Sequence, residues 1–238
     1  MAGRNEERRG RFNEAQIVQP IGPRPSASHN HALPHESLDP AQMDSQDLYR
    51  LLVSAVVPRP IALVSTVDAD GRPNLAPFSF FQLGGVAPAS LVISITAGSE
   101  GWEKDTLANL RATGEFVVNL VTREMVEGMN LTSRRLPKGD DEWQLTSFSH
   151  VSSDVVRPDG VAESPMRFEC RVHTIVEHGT EKGSARYVIG EILRIHTHVR
   201  EDGTAFLPVG RMGGAWYIDT AVPELFHLER PSDEERRP

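Results

Sequence analysis

Between Pro58 and Phe81 the chain reads PRPIALVSTVDADGRPNLAPFSFF, two strand-like runs joined by one tight turn. Ile61 to Val67 is apolar and β-branched, Asp68-Ala69-Asp70-Gly71 turns, and Asn74 to Phe81 returns. Two such runs around a short Gly-containing loop make a β-hairpin. The return strand is the tightest constraint, because it places Asn74, Pro77 and Ser79 where a core strand would place Val or Ile. Proline has no N–H to donate to a ladder, so this run must be an edge, a bulge or a strand end. A small polar residue between aromatics marks a backbone that something approaches closely.

The rest of the chain predicts mostly strands. Residues 1–40 carry Pro20, Pro23, Pro25, Pro34 and Pro40 among many charges, and read as a flexible N-terminal arm. His29, His31 and His35 in that arm read as solvated tail residues, since a metal site needs a rigid scaffold behind it. A short helix follows from Asp44 or Ser45, with Leu48, Leu51 and Leu52 on its apolar face, and Pro58 ends it. Leu83-Gly84-Gly85 and Pro88 read as a loop. Ser90 to Thr96 is a buried strand, Leu107 and Leu110 mark a helix closed near Gly114, and Glu115 to Val121 is a further strand. Glu124 to Leu131 reads as a helix and Thr132 to Gln144 as a long polar loop. Met166 to Val176 and Arg186 to Val199 are long strands about a Gly179-to-Gly183 turn, and Phe206 to Val209 a short one. The domain spans 41–228, and 229–238 is a charged C-terminal tail. Many strands with few short helices favour a mainly β, Greek-key or split barrel over a parallel α/β sheet.

Composition narrows the function. At 238 residues, 39% apolar and 24% charged, the chain can bury a sizeable core. A net charge of −8 argues against nucleic acid or an anionic membrane as main partner. The single Cys170 cannot form an intramolecular disulfide and reads as a core residue. With no apolar run long enough for a bilayer, a cytoplasmic protein is expected. No two glycines are spaced i, i+2, so a G-x-G-x-x-G dinucleotide fingerprint is impossible, and P-loop, G-x-S-x-G, H-E-x-x-H and C-x-x-C motifs are absent too. His196 and His198 share a strand face but lack an evident third ligand, and read as exposed strand residues.

The remaining chemistry points to an anion. Lys104-Asp105-Thr106 opens a helix after a glycine-rich loop, where free backbone N–H groups, the helix dipole and the Lys104 charge all favour phosphate. Asp105 suits helix capping or a ligand hydroxyl better than phosphate. Arg59 at the hairpin entry and Arg211 in a second glycine-rich turn carry guanidinium forks suited to phosphate or carboxylate. Ser65, Thr66, Asn74 and Ser79 supply groups that can bond a heteroaromatic edge or simply cap turns.

Taken in order, Pro58-Arg59-Pro60-Ile61-Ala62, Ser65-Thr66, Asn74 to Phe81, Lys104-Asp105-Thr106, Gly114 to Asn119 and Gly210-Arg211 resemble the flavin reductase-like, FMN-binding split-barrel family over roughly Leu48 to Tyr217. The resemblance implies a split β-barrel homodimer with FMN near the subunit interface. By position, Ser65, Thr66, Asn74 and the backbone of Ala76, Pro77, Phe78, Ser79 and Phe80 would line the ring and ribityl side. Lys104, Asp105 and Thr106 would meet the phosphate, with Arg59 or Arg211 as further cations. Trp102-Glu103 stands where the family often has a basic residue, and Trp102 is a candidate cover for the flavin or for a partner. The implied activity is an NAD(P)H-dependent flavin reductase supplying reduced flavin or electrons to an acceptor such as a partner monooxygenase or redox protein. In that reading the chemistry is the cofactor's, and no catalytic acid or base is named. A flavoredoxin-like electron carrier without nicotinamide activity is the alternative, and a split barrel holding pyridoxine phosphate or haem a third reading.

Overall fold

The hairpin strand Ala62–Val67 is buried along its whole length, because its two faces enter two different cores. Side chains alternate across a strand. Ala62 and Val64 belong to one cluster with Phe78, Phe81, Leu91, Ile93, Ile95, Phe116, Val118, Cys170 and Val188. Ile61 and Leu63 belong to another with Leu75, Val121, Met125, Val126, Met129, Trp143, Val161, Val209 and Tyr217. The structure, a computed structural model, describes residues 35–97, 103–137, 140–198, 206–221 and 224–229. The arm before residue 35, Trp102 and the tail after residue 229 lie outside the described residues.

The strands are β1 (Arg59–Pro60), β2 (Ala62–Val67), β3 (Pro73–Phe78), β4 (Phe81–Val86), β5 (Ala89–Thr96), β6 (Glu115–Leu120), β7 (His150–Val151), β8 (Gly160–Val161), β9 (Met166–His178), β10 (Ala185–Thr197), β11 (Gly210–Arg211), β12 (Trp216–Asp219) and β13 (Glu224–His227). The helices are α1 (Ser45–Ala55), α2 (Asp105–Thr113) and α3 (Val126–Leu131), with short 3-10 turns at Pro40–Gln42, Arg123–Met125 and Glu142–Leu145. A seven-stranded sheet runs β3-β2-β6-β9-β10-β5-β4, and a four-stranded sheet runs β1-β11-β12-β13. Every pairing is antiparallel.

The order of the large sheet dictates its shape. β3 and β4 are its two outermost strands, yet only Ser79 and Phe80 separate them in sequence. Laid flat, outer strands of such a sheet would lie ~29 Å apart. The three Cα steps from Phe78 to Phe81 reach at most ~11 Å. The sheet must therefore curl until its edges meet, which makes a barrel split at that seam. The Ser94 N–H donates to the Phe80 carbonyl at 2.7 Å, tying the link to β5. The expected mainly β, Greek-key split barrel is what forms.

Helix α2 closes one end of the barrel, placing Leu107 and Leu110 in the inner cluster. Gly114 ends it in the left-handed region at φ +71°, where its N–H reaches the Leu110 carbonyl at 3.0 Å. Helix α1 begins as expected, with the Asp44 carboxylate accepting from the Gln46 N–H at 2.9 Å. Leu52 on its expected apolar face is nonetheless exposed. Two expectations are corrected. The loop at Leu83-Gly84-Gly85 is strand β4, because β5 supplies its ladder partners even though its side chains face out. Phe206 to Val209 is irregular, its Val209 N–H donating to the Val121 carbonyl at 2.9 Å.

Gly190 sits in β10 at a register shift, where a Cβ would run into the fully buried Phe116 ring. Gly190→Ala is expected to destabilise the fold by about 1–3 kcal/mol through overpacking, read from urea unfolding.

Candidate functional site

The hairpin and α2 are pinned to each other by buried polar pairs. Asn109 Nδ2 donates to Thr66 Oγ1 at 3.0 Å, and Asn74 Nδ2 donates to Thr106 Oγ1 at 3.1 Å. Each pair is buried, so each satisfies polar groups that would otherwise be costly in the core. Together they hold the N-terminus of α2 against the outer strand β3. Lys104 occupies the N-cap position and its side chain makes no cap bond to the first N–H groups of the helix.

Beside this helix start lies a cleft of about 190 Å³. Asn74, Ala76, Pro77 and Phe78 form one wall and Lys104, Asp105 and Thr106 another. Thr132, Ser133, Arg134, Arg135 and Leu136 form a third, and Glu142 completes the lining. Lys104 Nζ stands 5.4 Å from the Phe78 ring centroid, within cation–π reach. Cations, hydroxyls and a helix N-terminus thus converge on one concavity.

Of the twelve residues singled out from sequence, six line the cleft and six do not. Asn74, Ala76, Pro77, Lys104, Asp105 and Thr106 line the cleft. Thr66 stands behind it through Asn109. Ser65 is buried and donates to the Asp159 carbonyl at 2.6 Å. Ser79 and Phe80 form the seam between β3 and β4 and are not lining residues. Arg59 is buried and spends its guanidinium on the carbonyls of Val53 (2.5 Å), Val56 (2.7 Å) and Met212 (3.0 Å). It therefore ties the end of α1 to the β11–β12 turn, and burial lowers its pKa below the ordinary arginine value. Arg211 lies over the Tyr217 ring, 4.4 Å from its centroid, and donates to the Tyr217 hydroxyl and the Gly214 carbonyl. Neither arginine lines the cleft.

The reading of Thr132 to Gln144 as plain loop missed one wall and one carboxyl. Ser133-Arg134-Arg135, a hydroxyl beside two guanidinium groups after a short helix, is the signal that was legible. The helix end holds it in place: Thr132 Oγ1 donates to the Met129 carbonyl at 2.8 Å and Ser133 Oγ to that of Asn130 at 2.7 Å. Glu142 carries no sequence signal at all. It is buried, its Oε2 accepts from the Leu75 N–H at 3.2 Å, and burial raises its pKa to about 7.

His196 Nε2 lies 2.5 Å from Glu169 Oε1, and His198 packs its ring near Phe206 at 5.6 Å. His196 is thus a paired residue, not an exposed one. Burial pushes the Glu169 pKa up, but the Asp154 N–H, His196 and the Val155 N–H outweigh it and leave the carboxyl below its usual range. Cys170 is buried in the barrel, and that burial pushes its thiol pKa up, as suits a core residue.

The donor set fits the phosphate end of a flavin nucleotide. Arg134 Nε is buried and has no hydrogen-bond partner among the described residues, and it belongs to a residue of the cleft wall. A bound anion would satisfy it. At about 190 Å³ the cleft is below the ~300–1,000 Å³ of a whole-ligand pocket, so it suits one end of a nucleotide-sized molecule.

Comparison with known proteins gives the family and the fold. The family described as flavin reductase like domain matches residues 54–217, and the chain belongs to it. An uncharacterized protein of Halalkalibacterium halodurans is 35% identical over 210 residues, covering 84% of this chain and 99% of its own. Nitrilotriacetate monooxygenase component B from Bacillus cereus superposes with a TM-score of 0.74 at 30% identity, covering 83% of this chain and 100% of that one. A Shewanella frigidimarina structure described by its split barrel domain gives a TM-score of 0.63 at 20% identity, over 83% and 94%, a likeness in fold. Family and neighbours support a flavin-related oxidoreductase. Among the described residues no helix is long and apolar enough to cross a membrane.

The placement of Arg59 generates a prediction. Arg59→Ala removes a buried charge-assisted contact set and leaves three carbonyls without their donor. It is expected to lower stability by about 3 kcal/mol, measured by denaturant unfolding. The affinity of the variant for flavin, measured where it remains folded, is expected to match that of the parent.

Proposed function

We propose that the chain is an FMN-dependent oxidoreductase that uses NAD(P)H to supply reduced flavin or electrons to a separate acceptor. The cleft between the α2 N-terminus and the Ser133-to-Arg135 wall carries this reading. In it, Lys104, Arg134 and Arg135 neutralise the phosphate, the first turn of α2 turns its N–H groups toward it, and Ser133 adds a hydroxyl. Asp105 and Asn74 suit ribityl hydroxyls. The bound flavin supplies the redox chemistry, and the protein supplies binding, orientation and electrostatics. Thr66 acts behind the site by holding α2 through Asn109, while Ser65, Arg59 and Arg211 brace other parts of the fold.

The outer face supports two partners. Phe80, Leu83 and Val86 are exposed along the seam and the edge strand β4, with Val86 at 92%. Such an apolar edge suits a second copy of the chain, and a homodimer would bury it. The likeness to a protein titled monooxygenase component B supports a two-component arrangement, in which this chain reduces flavin for a partner monooxygenase.

The test begins with the absorbance of the protein loaded with FMN, mixed anaerobically with NADH and with NADPH. Bleaching of the flavin band with either is expected; no bleaching with both would leave a flavoredoxin-like carrier instead. Lys104→Ala and Arg134→Ala are each expected to weaken FMN binding by about 1–3 kcal/mol, the worth of a charge-assisted bond. Riboflavin, which lacks the phosphate, should bind all three proteins equally in a fluorescence titration.

A further inference from the structure

Glu142 is a buried carboxyl set into the wall of a cleft otherwise lined for an anion. The reason for its position lies in β3. That strand is the outermost of its sheet, and its outward positions are Pro73, Leu75 and Pro77. The two prolines have no N–H, so Leu75 is the position from which this edge can donate outward. Glu142 Oε2 takes that bond at 3.2 Å. A glutamine could accept the same bond. The bond by itself therefore does not require an acid at this position.

Charges face Glu142 from each neighbouring element. Asp141 precedes it on its own 3-10 turn, and Asp105 at the start of α2 adds a second negative field; both raise its pKa. Lys104 stands beside Asp105, and Arg134 and Arg135 lie across the same cleft. Helix α3 carries Glu127 on its exposed side, and β3 contributes no titratable side chain. No histidine lines the cleft among the described residues.

We propose that Glu142 takes up a proton when the phosphate end of the flavin nucleotide enters this cleft, so that the protein discriminates phosphorylated from unphosphorylated flavin most strongly where Glu142 is neutral. The proposal rests on the reading of the cleft as the FMN phosphate site. In a space of about 190 Å³ a phosphate dianion and a carboxylate lie close enough to repel. Protonation removes that repulsion and converts an acceptor into an O–H donor facing the cleft. One proton passes from buffer to the carboxylate, and no other bond changes.

The direction follows from linkage. Glu142 already titrates near pH 7 without ligand, and a bound anion raises its pKa further. Well below pH 7 the group is protonated in both free and bound protein and adds no pH dependence. Above that value the free form loses its proton before the bound form does, and FMN affinity falls as pH rises. The loss is ~10-fold for each unit by which the bound phosphate raises that pKa. The FMN phosphate is itself already a dianion above about pH 6 and contributes little to the slope.

The experiment is an FMN titration by flavin fluorescence between pH 6.5 and 9 at constant ionic strength, for the parent and Glu142→Gln. Riboflavin serves as the probe without phosphate. The parent is expected to lose roughly tenfold or more in FMN affinity across this range. Riboflavin with the parent, and FMN with Glu142→Gln, should both be flat. Parallel FMN slopes in parent and variant, or an equal slope for riboflavin, would overturn the proposal while leaving the cofactor reading standing. FMN that binds the parent at no pH would overturn both. Should the variant not fold, calorimetry of FMN binding to the parent at pH 8, in two buffers of different ionisation enthalpy, decides the matter. Net proton uptake supports the proposal, and its absence overturns it.

Discussion

The two-residue seam Ser79-Phe80 is the constraint on which the rest of this structure depends. It joins the opposite edges of a seven-stranded sheet, and a covalent span that short leaves the sheet no choice but to curl. Curling creates an interior, filled by Phe81, Phe116, Ile93 and Val188, and an open end for α2 to plug. It also leaves β3 as a strand edge beside that plug. The cleft is the space that results where an edge and a helix N-terminus meet.

Polar residues then decide where that helix points. Asn109 and Thr106 are buried on α2 and bond Thr66 and Asn74 of the hairpin. Hydrophobic contacts from Leu107 and Leu110 would hold the helix on the barrel but are non-directional. The two amide–hydroxyl pairs add direction, and they orient the first turn of α2 toward β3. Residues that look like ligand groups in sequence thus serve the site by building it.

Much of this was legible in the sequence, for reasons that differ by residue. The β2 run is mostly apolar because it faces two cores, with Ser65 and Thr66 its two buried polar positions. Pro77 narrows its run to an edge, a bulge or a strand end, since it cannot donate to a neighbour, and the strand order makes it an edge. Lys104-Asp105-Thr106 reads as a helix start with a charge beside it. Strand β4 was harder, because Gln82 to Val86 is exposed and glycine-rich, and only its ladder with β5 makes it a strand. Arg59 and Arg211 look alike in sequence, each next to a turn. Their surroundings differ: Arg59 reaches the distant β11–β12 turn at Met212, whereas Arg211 turns onto Tyr217 and Gly214 a few residues on, and neither outcome is written beside the arginine itself.

By itself the sequence determined the fold class, the family to which these motifs belong and a helix start with Lys104 beside it, and it narrowed the return strand to an edge, a bulge or a strand end. Each of those is written in local spacing: strand alternation, proline at positions that cannot donate, and charge at a helix N-terminus. The tertiary structure alone decided that Ser133, Arg134 and Arg135 face Lys104, and that Glu142 is buried beside them. The basic wall and Lys104 lie some thirty residues apart in the chain, so no periodicity links them. What brings them together is the curl of the sheet, which is a property of the whole strand order and of no single stretch.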